Sequence, residues 1–121
     1  MSAADKRDGD SAPPGNLFAG AAPPADGEAF ETLLRRGGVH IERIVSSDRP
    51  DPVLYDQPHD EWVCLVQGDA DLWIAGETVT LRAGDHRLIP AGTPHRVVHT
   101  SADPPCLWLA VHLPPSRTGP A

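Results

Sequence analysis

Glu61 opens the apolar run Trp62 to Val66, and His95 is delivered to the head of another strand-like run by the segment GDHRLIPAGTPH. A carboxylate set into a strand that reads as buried must be paired, hydrogen-bonded or liganded, because an uncompensated charge there is costly. An imidazole and a carboxylate can exchange a proton or bind a first-row metal ion. Tyr55 and Gln57 share one face of the extended stretch Val53 to Gln57, just upstream of Glu61, and a regular strand from His95 places Val97 and His99 on the face of His95.

The elements that must position them are short. Gly84-Asp85 is a turn signal, Leu88-Ile89 an apolar pair, and Pro90 to Pro94 a second turn in which proline fixes φ and glycine permits φ > 0. Upstream, Val39 to Ser46 alternates as a half-buried strand with Val39, Ile41 and Val45 inward and His40 and Glu42 on the other face, so His40 is expected to face solvent. Trp62 to Val66 suits a covered central strand. Gly68 turns the chain into Asp69 to Ile74, Ala75-Gly76 is a hairpin signal, and Thr78 to Leu81 returns. Cys106 to Leu113 is a last apolar strand, on which His112 could face the interior with Trp108 and Ala110. His59 and His86 lie near turns and read as solvated.

The N-terminal third is less regular. Residues 1–15 have no apolar period and read as a disordered tail, as do residues 114–121. Between them and the barrel candidate at 39–113 lies a docking segment, 16–38. Within it Phe30, Leu33 and Leu34 sit at helical spacing, with Asp26 as N-cap and Gly37-Gly38 as the stop, so a short helix over Glu28 to Arg36 fits. A strand is the competing reading.

The chain has 121 residues, 40% of them hydrophobic, enough for one domain with a modest core. Fourteen prolines and eleven glycines suit many short strands rather than a helical bundle, and the fold class is all-β. A net charge of −7 without a basic run argues against nucleic acid and anionic membrane as partners. The N-terminal stretch lacks the apolar region of a secretory signal, so a cytoplasmic location is expected, with Cys64 and Cys106 as reduced core residues.

The spacing of Gly84, Pro90, Gly92 and His95 resembles the second motif of the cupin superfamily, G-x5-P-x-G-x2-H-x3-N, with His99 at the last position. The first motif, G-x5-H-x-H-x3,4-E-x6-G, is matched in its second half by Glu61 and Gly68, while Tyr55 and Gln57 stand where its histidines would be. The resemblance covers Val39 to Leu113 and is to small single-domain cupins. It implies a cupin-type β-barrel (a double-stranded β-helix or jelly roll), often a homodimer, with a divalent transition metal (Fe, Mn, Ni or Zn) held by motif histidines and the glutamate. Here that implies Gln57, Glu61 and His95 as metal ligands, with Tyr55 or His99 as proton donor or substrate contact. The expected function is binding of one divalent ion together with binding or turnover of a small polar organic molecule. The alternative is a metal-free small-molecule binding module. Oxygenase, isomerase and lyase chemistries all remain open.

Overall fold

Alternating apolar residues in short, turn-bounded segments form eight strands in a computed structural model that describes residues 12–115. The strands are β1 (Glu28–Arg36), β2 (Val39–Ser46), β3 (Glu61–Gln67), β4 (Asp69–Ile74), β5 (Glu77–Arg82), β6 (His86–Ile89), β7 (His95–Thr100) and β8 (Cys106–His112). Most of the N-terminal tail and residues 116–121 lie outside the described residues. Two antiparallel sheets result, one in the order β1-β2-β8-β3-β6 and the other β5-β4-β7. Their facing sides bury Ile44, Val63, Leu65, Leu72, Ile74 and Trp108, among others, in one core. This is the double-sheet solution to burying many short strands.

The expected helix over Glu28 to Arg36 is a strand. β1 pairs along its length with β2, from Glu28 opposite Ser46 to Arg36 opposite Val39, and a bulge between Thr32 and Leu34 breaks its alternation. The bulge spaces Phe30, Leu33 and Leu34 as a helix would, yet all three are exposed, so no apolar helical face is buried.

β2 also faces the other way from its expected orientation. Glu42 and Ile44 line the interior, and Ser46 is fully buried beneath Trp108, whose Nε1–H donates to Ser46 Oγ at 2.9 Å. Ser46 Oγ in turn donates to Glu28 at 2.7 Å, so a polar chain runs from the core to the barrel wall.

A second bulge redirects β7. Leu72 lies opposite Val97 but Asp71 lies opposite His99, which leaves Val98 as the extra residue. The alternation therefore slips: His95 and Thr100 are buried, whereas His99 is exposed on the outer surface. His99 is away from the interior and cannot act there, contrary to the expectation from simple alternation.

The stretch Val53 to Gln57 is not a regular strand. It crosses one end of the barrel as an irregular segment pinned by reciprocal backbone bonds, with Tyr55 N–H to His95 O at 2.8 Å and His95 N–H to Tyr55 O at 2.9 Å. Gly92 N–H donates to Gln57 O at 2.7 Å. The proline-glycine turn before β7 thus holds Tyr55 and Gln57 over His95.

Candidate functional site

The two sheets enclose a small cavity of about 150 Å³ whose walls are apolar, with Ile44, Val63, Leu72, Ile89, Val97 and Trp108 prominent among them. Its polar floor is built by three elements. β3 begins with Glu61, β7 begins with His95, and the crossing segment supplies Tyr55 and Gln57. Gln57 Nε2 donates to Glu61 Oε1 at 2.9 Å and lies 3.5 Å from His95 Nε2. His95 Nε2 is 3.6 Å from Glu61 Oε1, an ion-pair distance, and Tyr55 stacks on the imidazole with ring centroids 5.8 Å apart. His95 Nδ1 faces the Thr93 carbonyl at 2.8 Å; donation there directs Nε2 at the carboxylate.

The electrostatics follow from this geometry. Burial pushes the Glu61 carboxyl upward, but hydrogen bonds from His95 and Gln57 and the charges of His112 and His95 outweigh it, so its pKa lies below the usual value. His95 is likewise pushed down by burial and more strongly up by Glu61, the Thr93 carbonyl and Asp56, so it holds its proton above the ordinary imidazole range. Both shifts favour a carboxylate facing an imidazolium in an apolar-walled cavity. Tyr55 is raised by burial and by the surrounding carboxylates Glu28, Asp51, Glu61 and Glu42, which keeps it a phenol and a hydrogen-bond donor.

A second polar group lies at the rim. Glu42 Oε1 is 2.9 Å from His112 Nε2, Glu42 Oε2 is 3.9 Å from His40 Nε2, and His59 Nε2 is 3.0 Å from His112 Nδ1. The Glu42 carboxylate, acting against burial, holds the His112 pKa up. Glu28, raised chiefly by burial, completes the acidic lining.

Over residues 48–112 the chain matches the family model for the cupin domain. It belongs to the cupin family. A protein from Ralstonia eutropha JMP134, provisionally named a mannose-6-phosphate isomerase, is 41% identical over 85% of this chain and 99% of its own, with a TM-score of 0.77. A Streptococcus pyogenes protein of unknown function is 23% identical over 87% of this chain and 90% of its own, at a TM-score of 0.74. A cupin superfamily protein from Desulfitobacterium hafniense shares the fold at 16% identity, 77% and 83% coverage and a TM-score of 0.68. No curated protein matches.

In this cupin the structure brings Tyr55, Gln57, Glu61 and His95 together and leaves His99 outside. As a metal seat the motif positions are weakly provisioned. One imidazole and one carboxylate are good donors for a first-row ion, but Gln57 presents its NH2 to Glu61, and the phenol of Tyr55 resists the ionisation a ligand would need. Sequence reasoning missed Glu28, read as part of a helix, and Glu42, His40 and His59, read as outward or solvated. His112 does face the cavity, as its alternation with Trp108 and Ala110 suggested. The shared signal was available in the pairing of His40 and Glu42 at i and i+2, but the facing of β2 was not.

Proposed function

We propose that this cupin binds a small polar organic molecule in the barrel, gripped by Gln57, Glu61 and His95 and capped by the Tyr55 hydroxyl. The observation that carries this reading is the convergence of the Gln57, Glu61 and His95 side chains to within 3.6 Å at the floor of an otherwise apolar cavity. Such a site has one acceptor-rich carboxylate and a donor imidazolium side by side, so it suits a ligand carrying adjacent hydroxyl, carbonyl or amine groups. Three carboxylates, Glu28, Glu42 and Glu61, line the same cavity, which disfavours anionic ligands and favours neutral or cationic ones. The pair also supplies proton-transfer chemistry: Glu61 can accept a proton from a bound molecule while His95 Nε2–H donates one. A divalent ion in the barrel is compatible with the same reading, although Gln57, Glu61 and His95 as they stand offer it only two strong donors.

Aldose–ketose isomerisation is a second reading, favoured by the name and 41% identity of the Ralstonia eutropha relative. It would use the same acid–base pair to move a proton between adjacent carbons. Saturation binding of neutral polyols, small amines and sugar phosphates to the parent and to Glu61→Gln/His95→Gln tests both. The expected result is binding of neutral or cationic compounds that the double variant loses. Turnover of mannose 6-phosphate by the parent alone would instead establish the isomerase.

A further inference from the structure

His40, Glu42 and His112 form a donor group that neither cupin motif contains, with ligating atoms all within 4.8 Å of one another. The register explains why they meet. His40 and Glu42 are two residues apart and so share one face of β2, and His112 stands directly opposite His40 on β8. The two imidazoles stack with centroids 5.4 Å apart, and the Glu42 carboxylate reaches both, at 2.9 Å to His112 Nε2 and 3.9 Å to His40 Nε2. All three are largely buried, yet they sit where the barrel cavity adjoins an outer groove that His40 and His112 line together with Arg35, Gln57 and His59.

From this arrangement we propose that His40, Glu42 and His112 hold a divalent first-row metal ion, with His59 as the residue that orients His112. Two imidazoles and one carboxylate make a complete three-donor set for zinc or iron(II), and three protein ligands leave open positions for water or for an atom of a bound molecule. His59 has the geometry of an outer partner. Its Nε2 lies 3.0 Å from His112 Nδ1, and when His112 donates that proton its Nε2 lone pair is free for the ion on the Glu42 side. The hydroxyl of Thr32, 2.9 Å from His40 Nε2, rotates away to water when that nitrogen takes the ion. The better-provisioned metal seat of this barrel therefore lies on β2 and β8, one strand away from Glu61.

Zinc titration calorimetry of chelator-stripped full-length protein tests the assignment. The parent should take up one Zn²⁺ with an affinity that His40→Ala/His112→Ala weakens at least ~100-fold and His59→Ala weakens ~10–100-fold with stoichiometry retained. Glu61→Ala/His95→Ala should keep that ion even where it no longer holds an organic ligand, which separates this site from the one at the cavity floor. Because a doubly substituted barrel could fail to fold, imidazole ¹H–¹⁵N spectra of the unaltered protein supply a second readout, in which Zn²⁺ should move the His40 and His112 signals and leave His86 and His99 in place. No uptake by the parent, undiminished uptake by His40→Ala/His112→Ala, or a shift centred on His95 would overturn the assignment.

Discussion

Glu61 and His112 stand opposite each other on β3 and β8, and both line the cavity. The carboxylate of the floor and the imidazole of the rim are therefore neighbours in one polar strip, and the charge of His112 helps keep Glu61 ionised. Changing either end of that strip should be felt at the other.

Removing the Glu61 charge should have a pH-dependent cost. The folded pKa of His95 lies above its reference value of 6.5, so its contribution to stability is full below that value and is lost as pH rises through the folded pKa. The folded pKa of Glu61 lies below its reference value of 4.5, so its contribution is present above 4.5 and is lost as pH falls through the folded pKa. The pair stabilises most between those two reference values. Urea unfolding of Glu61→Gln should show a loss on the order of 2 kcal/mol at pH 6 that is smaller at pH 9, further along the loss of the His95 proton. An equal loss at both pH values would contradict the ion pair.

Restoring an imidazole at a motif position should create a metal seat at the floor. Gln57→His places a third strong donor beside Glu61 Oε1 and His95 Nε2, which already stand 3.6 Å apart. Metal analysis after saturation with Zn²⁺ should show one more equivalent in Gln57→His than in the parent, and the addition of Glu61→Ala should remove it.

Glu28 is held in the cavity wall against its preference for water. Burial raises its pKa, so the folded state binds its proton more tightly than the unfolded chain, and the charged form weakens the fold at neutral pH. Glu28→Gln keeps an acceptor for Ser46 Oγ and removes the charge. Its melting temperature at pH 7 should rise by about 4 °C, the effect of roughly 1 kcal/mol in a domain of this size, with the gain vanishing in acid.

Much of this architecture was legible in local chemistry. The turn Pro90 to Pro94 and the burial of Glu61 could be read directly, and the cupin barrel followed from the resemblance carried by Gly84, Pro90, Gly92 and His95. What escaped depended on bulges and on facing. One extra residue at Val98 turned His99 out, and a bulge beyond Thr32 gave Phe30, Leu33 and Leu34 a helical spacing in a strand. On β2, alternation alone assigns polar His40 and Glu42 to the solvent face, because it equates polarity with exposure. In a strand that lines a binding cavity that inference reverses, and only the pairing with β8 reveals it.

Gly68, between β3 and β4, should tolerate no side chain. Its φ is 93°, and a Cβ there would lie 2.8 Å from Ser101 Oγ and 2.9 Å from Cys106 Sγ. Gly68→Ala combines a disfavoured backbone with a buried clash, and thermal or urea unfolding should register a loss of about 2 kcal/mol or more. By comparison, Gly76, also at positive φ but with open space around it, should lose less on the same substitution.

On the proposed reading, the floor formed by Gln57, Glu61 and His95 holds the organic ligand of this cupin. Nuclear magnetic resonance mapping with a set of small neutral polyols and amines tests it most directly. Compounds that bind should shift the signals of Gln57 and His95 and of Val63 and Val97 on the cavity wall, and these shifts should disappear in Glu61→Gln/His95→Gln. Shifts confined to the outer surface, or cavity shifts that persist undiminished in the double variant, would contradict it.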